Sequence, residues 1–303
     1  MAAPVPTDAS PQEIARIARL SCWRGRVEVA PLSGGLSNRN YTVTDAGGRY
    51  VVRLGSDVPE HGIVRRNEEI SSRAAAQAGV SPHVTHAEPG VLVFRFVAGR
   101  TLTAGDVRAA AMLSRVLDLV KRAHEAIPGH LIDARPEFRV FQVLRDYAQT
   151  LRRGDSRMMP DLPRLMAAAK NLERASGPSE PVFAHNDLLA ANLIDDGKRL
   201  WLIDWEYGGF NSPLFDLGNL ASNNELPPDQ ADFLLASYDG RAPDAARRRA
   251  FRAMICASLL REAMWSMVQE IHSRLKIDYP QYTKDNLARF DAAWAGFQET
   301  EGR

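Results

Sequence analysis

Between residues 185 and 206 the chain sets a histidine, an aspartate, an asparagine and a second aspartate at spacings that suit phosphoryl transfer. The stretch His185-Asn186-Asp187-Leu188-Leu189-Ala190-Ala191-Asn192 is followed, after a short turn, by Leu202-Ile203-Asp204-Trp205-Glu206. Moving a phosphoryl group asks little covalent chemistry of a protein. It needs a hydroxyl aimed in line and cations beside the phosphate oxygens as charge shifts. Asp187 is suited to take the proton of the attacking hydroxyl, while Asn192 and Asp204 offer the hard oxygen donors that Mg2+ accepts beside phosphates and water. A single loop aspartate is more often a turn or cap residue. The joint spacing H-x-D-x-x-x-x-N, with an aspartate just past an apolar run, is not accounted for that way.

These residues need a phosphate-holding element upstream, and the first ~97 residues supply candidates. Ser33-Gly34-Gly35-Leu36-Ser37-Asn38 lies between predicted strands near Val27–Ala30 and Asn40–Thr44, where glycines allow backbone N–H groups, with the Ser33 and Ser37 hydroxyls, to approach phosphates. Alone, such a segment is an ordinary loop more often than not. The next strand, Tyr50–Leu54, puts Val51 and Arg53 on one face and Tyr50, Val52 and Leu54 on the other, so Arg53 offers a cation to the α and β phosphates. Glu68, on a helix predicted from Val64 to Ala78 and closed by Gly79, is placed to orient Arg53; Glu69 is the competing partner. A short amphipathic helix over Thr7–Leu20 opens the chain, and strands near Val84–Ala87 and Val91–Phe96 complete a β-rich unit.

From Ala104 the pattern turns helical, over about Asp106–Ala126, Phe141–Arg152, Asp161–Ala175, Pro228–Tyr238, Ala245–Leu275 and Tyr282–Trp294. It is interrupted by a small hairpin around Asp195-Asp196-Gly197. In the long helix, Met264, Met267, Ile271 and Leu275 form the expected core stripe and Trp265 stands one position off it. A nucleotide-binding lobe at residues 1–97, a linker near Ala98–Thr103 and a catalytic and substrate lobe at 98–303 follow. The fold class is α+β.

Composition narrows the partners. The 38 Lys and Arg nearly cancel the 37 Asp and Glu, so no overall field attracts nucleic acid or an anionic membrane. The N-terminus has no basic stretch leading into an apolar one, and no window approaches ~18 apolar residues, which points to a cytoplasmic protein without membrane insertion. Cys22 and Cys256 lie in no metal or CxxC spacing and read as small buried side chains. Nothing distinguishes a monomer from a homodimer.

Through His185–Asn192, Leu202-Ile203-Asp204-Trp205-Glu206-Tyr207 and Pro213-Leu214-Phe215-Asp216-Leu217-Gly218-Asn219, the chain resembles the choline and ethanolamine kinases within the aminoglycoside-phosphotransferase-like group. The resemblance implies a two-lobed protein-kinase-like fold, with a small β-rich N-lobe and a larger, mostly helical C-lobe. It also implies ATP and Mg2+ as cofactors and a small alcohol as acceptor. In that pattern Asp187 faces the acceptor, His185 braces the loop, and Asn192 and Asp204 hold the metal. Ser33, Gly34, Gly35, Ser37, Asn38, Arg53 and Glu68 attend the nucleotide. Arginine at 53 replaces the lysine of protein kinases, and the glycine loop is not G-x-G-x-x-G. Trp205, Glu206, Tyr207, Glu262 and Trp265 supply aromatic faces and carboxylates for an ammonium group, which suits choline or ethanolamine. Another hydroxylated metabolite, such as an aminoglycoside or thiamine, is the rival acceptor. A catalytically inactive kinase-like binding module is the rival class, disfavoured by the intact Asp187, Asn192 and Asp204.

Overall fold

The computed structural model describes residues 10–32, 38–132, 134–273 and 275–301. Ser33, Gly34, Gly35 and Ser37 of the expected phosphate loop lie outside the described residues.

Helix α1 (Pro11–Ala18) starts on a proline, whose missing N–H costs nothing in a first turn. Strands β1 (Glu28–Leu32), β2 (Arg39–Asp45) and β3 (Gly48–Leu54) run antiparallel, with Leu32 opposite Asn40. Helix α2 (Arg65–Gln77) then ends at Ala78 and Gly79, the latter in the left-handed region at φ 71°. Strands β4 (Val84–Glu88) and β5 (Val91–Arg95) complete a sheet of order β1-β2-β3-β5-β4. The alternation along β3 holds: Tyr50, Val52 and Leu54 join Tyr41, Val43 and Val93 in a small core that Ile17 and Leu20 cover, and Arg53 faces the other way. Interior β5 spends its backbone on β3 and β4, and the Phe96 N–H donates to Arg49 O.

The rest is mainly helical. Strand β6 (Arg100–Thr101) falls inside the expected linker. Helix α3 (Ala104–Val107), with a reciprocal Thr103–Asp106 cap, is separated from α4 (Ala110–Ala126) by extended Ala109, so the single helix expected over 106–126 is two. Helices α5 (Val140–Arg153) and α6 (Leu162–Ser176) precede β7 (Val182–Ala184), the hairpin β8 (Leu193–Asp195) and β9 (Leu200–Leu202), and β10 (Gly209–Asn211). β6 pairs with β8, and β7 with β10. Helices α7 (Pro213–Asn223), α8 (Pro228–Asp239), α9 (Ala245–His272) and α10 (Tyr279–Glu301) finish the chain.

Helix α9 is the axis of this lobe. It packs against α5, α6, α7 and α10 and is buried on nearly every side between Ala250 and Gln269, rather than along the single stripe its sequence suggests. Leu275 lies beyond its end. Gly218 brings α7 onto α9: a Cβ there would stand 2.8 Å from the Ile255 nitrogen and the Met254 carbonyl carbon. The two lobes also share core. Ile63, between β3 and α2, is 1% exposed within the helical lobe's apolar cluster, and neighbouring His61 meets Tyr147 edge to face and packs at a tilt on Trp265. Among the described residues no helix is long and apolar enough to cross a membrane. Cys256 is buried and Cys22 only half-buried, which corrects the expectation that both are buried.

Candidate active site

The turn after β7 is built from side chains that α7 delivers. Asn186 sits at φ 66°, a left-handed conformation that asparagine tolerates better than most residues, and is wholly buried. Its amide donates to the carbonyls of Tyr207 (2.9 Å), Ala184 and Gly209 (both 3.2 Å) and accepts from Asn211 Nδ2 at 2.8 Å. Asp216, in the first turn of α7, accepts the His185 and Asn186 backbone N–H groups at 2.8 and 2.7 Å, and His124 Nε2 lies 2.9 Å from the same carboxylate. Asn219 Oδ1 accepts the Leu188 N–H, and Asn224 Nδ2 donates to the Leu188 carbonyl at 3.0 Å. The 213–219 motif therefore holds the 185–192 loop. Burial pushes the Asp216 carboxyl up, but the His124 hydrogen bond and charge outweigh it and hold the group below its ordinary range.

His185 acts inside this brace. Its Nε2 donates to Ile203 O at 2.9 Å and its Nδ1 accepts the Asp187 N–H at 3.2 Å, an assignment that needs the neutral ring; burial lowers its pKa. Asn192 Nδ2 donates to Asp187 O at 2.9 Å, which leaves the amide oxygen as the end suited to a cation. Ile203 N–H donates to Asn192 O at 2.9 Å, tying Asn192 to the residue before Asp204, whose φ is 71°. The β8–β9 hairpin thus brings Asn192 and Asp204 together.

A network of alternating charge joins Asp204 to the N-lobe. Arg53 Nη1 donates to Glu68 Oε1 at 2.5 Å and Asp204 Oδ1 at 2.6 Å. Arg65 Nη1 donates to Glu68 Oε2 at 2.6 Å and Glu206 Oε2 at 3.0 Å, and Asn38 Nδ2 reaches the same Glu206 oxygen at 3.1 Å. Glu68 is completely buried; Glu69 instead pairs on the surface with Arg66 and Arg73. The choice between the two glutamates falls to Glu68. Burial raises the Asp204 pKa, but the charge and hydrogen bond of Arg53 outweigh it and hold Asp204 low. Glu206 is pushed up by burial and by its Asp204 neighbour.

On the other side of Asp187 stands α9. Arg261, 2% exposed, directs Nη1 to Asp187 Oδ1 at 3.4 Å and Glu262 Oε2 at 3.2 Å, and its guanidinium lies 4.4 Å over the Tyr207 ring. Tyr282, from α10, donates to Glu262 Oε1 at 2.9 Å. Burial drives the Asp187 carboxyl up to about 7; Arg261 opposes this, and Glu262, Asp204 and Glu206 reinforce it. A carboxyl near neutrality beside fixed charge is a common mark of a proton-accepting group.

Of the expected aromatic and acidic set, only part lines this side. Trp205 is 1% exposed, packed on Phe183 and His185 with its N–H directed to Leu202 O, so it supports the loop from behind. Glu206 turns to Arg65 and Asn38, because two buried donors draw it there. Tyr207 lies beneath Arg261 and against Phe138. Trp265 is 8% exposed, its ring against His61, Tyr279 and Tyr282, so it is buried packing although it stands off the core stripe, because α9 is enclosed on nearly every side. Sequence reasoning passed over Arg65 and Tyr282, read His124 as packing or surface rather than a partner of Asp216, and placed Arg261 at the border of a cleft without a role. Arg261-Glu262 inside an apolar helical run was the one legible sign, since buried charge is rare unless paired.

Residues 28–251 match the model of a family described as phosphotransferase enzyme family. Protein LicA of Haemophilus influenzae is 29% identical over 278 residues, spanning 88% of this chain and 79% of that protein. A solved choline/ethanolamine kinase family protein from Mesorhizobium loti superposes with TM-score 0.76 at 27% identity, covering 93% of both chains. LicA solved with AMP gives TM-score 0.75 at 20% identity over 95% of this chain and all of that one, a likeness of fold. Loop, charge network and comparisons agree: the chain belongs to the phosphotransferase enzyme family, and the choline and ethanolamine kinases are the members it resembles.

Proposed function

We propose that the protein transfers the γ-phosphoryl group of ATP to the hydroxyl of a small amino alcohol, choline or ethanolamine, with Mg2+, in the cytoplasm. A nucleotide lobe at residues 1–97 and a catalytic lobe at 98–303 share the work. The observation that carries the acceptor class is the trio Asp187, Arg261 and Glu262: two carboxylates share one guanidinium, so a net negative charge is left at the base. In a buried site that excess asks for a cation on the acceptor.

Asp187 accepts the hydroxyl proton, and its carboxyl near 7 gives it basicity at neutral pH. Arg53, oriented by Glu68, offers its charge to the phosphates, and the segment ending at Asn38 offers them backbone N–H groups and the Ser33 and Ser37 hydroxyls. Glu262, fixed by Tyr282, takes the ammonium, with Trp265 behind it as packing.

The donors suit Mg2+: one carboxylate and one amide oxygen, with no three-residue His/Cys/Asp/Glu cluster among the described residues, fit an ion that shares its shell with phosphate and water. Asn192 and Asp204 would hold it, and when bound it would neutralise developing charge on the phosphates.

The test is ATP consumption with Mg2+ and choline, ethanolamine, thiamine or an aminoglycoside, for the wild type beside Asp187→Ala. Turnover of choline or ethanolamine that falls at least 100-fold in the variant is expected, the usual scale of a lost general base. Turnover confined to thiamine or the aminoglycoside would reject the amino alcohol, and nucleotide binding without turnover of any acceptor would favour an inactive module.

A further inference from the structure

We infer that Arg261 is a positioning residue that sets acceptor length, holding Glu262 at a distance from Asp187 that fits two carbons between ammonium and hydroxyl. This rests on the amino-alcohol reading above.

One nitrogen does the spacing. Arg261 Nη1 contacts Asp187 Oδ1 at 3.4 Å and Glu262 Oε2 at 3.2 Å, so the two oxygens lie within two contact lengths of each other. None of the three groups is free to drift. The guanidinium is 2% exposed and stacked over Tyr207 at 4.4 Å, Glu262 is held from its other oxygen by Tyr282 at 2.9 Å, and Asp187 is held through its backbone by His185 and Asn192. An acceptor laid across the trio must put nitrogen at Glu262 and hydroxyl at Asp187 together. A two-carbon spacer separates them by about 3 to 4 Å, and each further methylene adds about 1.3 Å. A longer chain therefore moves the hydroxyl off the base or the ammonium off Glu262, and misplacement on the order of 1 Å costs roughly 100-fold in rate.

A buried arginine that merely filled space or balanced charge would affect all acceptors alike. A spacer would not. The experiment compares kcat/KM for ethanolamine, 3-amino-1-propanol and 4-amino-1-butanol in the wild type, Arg261→Met, Arg261→Lys and Glu262→Asp, with nucleotide affinity and thermal melting measured for each. The wild type is expected to favour two carbons over three by roughly 100-fold. Arg261→Met should hold its nucleotide affinity, raise KM for ethanolamine, and narrow the two-to-three-carbon ratio to within about 10-fold, with Arg261→Lys between. Glu262→Asp withdraws the carboxylate by one methylene and should move the preference toward three carbons.

The inference is overturned if the wild type treats two and three carbons equally, or if folded Arg261→Met and Glu262→Asp keep the wild-type ratio while losing rate uniformly. Should Arg261→Met fail to fold, Arg261→Lys and Glu262→Asp decide by the same ratio. Turnover of no amino alcohol by the wild type would instead defeat the functional reading itself, and this inference with it.

Discussion

Replacing Asp216 by asparagine tests whether α7 positions the catalytic loop. The carboxylate receives three N–H groups, from His185 N at 2.8 Å, Asn186 N at 2.7 Å and His124 Nε2 at 2.9 Å. An amide has one accepting end. Turned one way it keeps His185 and His124 and faces its own NH2 toward the Asn186 N–H; turned the other way it keeps only Asn186. At least one buried backbone donor is stranded and the charge assistance is lost, which costs about 2 to 5 kcal/mol at about 1.5 to 3 per charge-assisted bond. The loss bears on Asp187, the next residue, whose aim depends on its neighbours' backbone. Urea denaturation should show that destabilisation, and kcat should fall by roughly 100-fold while nucleotide affinity stays within about 3-fold. His124→Gln should cost less, and the double variant less than the sum, because both act on one carboxylate. Since Asp216 is held below its ordinary pKa, its stabilisation is present above the unfolded-state value and lost as pH falls through the folded one, so the Asp216→Asn deficit should shrink in acid. A variant within about 0.5 kcal/mol and about 3-fold of wild type would refute the reasoning.

As the proposed base Asp187 must be ionised, and burial pushes it up to about 7, so kcat/KM for the acceptor should rise with pH through about 7 and level off above it. A profile flat between about pH 5.5 and 8 would contradict a base in this environment. Glu68→Gln leaves Arg53 and Arg65 facing each other without the buried carboxylate that both contact, and should cost about 3 to 5 kcal/mol in chemical denaturation and weaken nucleotide binding. Gly218→Ala drives a methyl into the α9 backbone, and a melt should register a loss of about 1 to 3 kcal/mol with the kinetic constants of the surviving native protein little changed.

Local pattern alone determined a good deal. The two-residue period of Tyr50–Leu54 forces Arg53 away from the small core, the H-x-D-x-x-x-x-N spacing fits one tight loop, and Gly79 supplies the positive φ that ends α2. These are properties of backbone geometry a few residues long, and they survive any arrangement of the rest. The α9 stripe was legible only in part. Period marks the side facing the core first, but four helices surround α9, and burial from all sides erases the polar face that periodicity needs. Only the tertiary structure decided which carboxylates do what. Glu68 rather than Glu69 meets Arg53 because the sheet lies on one side of α2; Glu206 turns away from Asp187 because Arg65 and Asn38 hold it; and Arg261, 74 residues from Asp187, reaches that carboxylate through the packing of α9 against the loop. Charge does not announce its partner along the chain, since its interaction depends on distance and burial, and both are set by the fold.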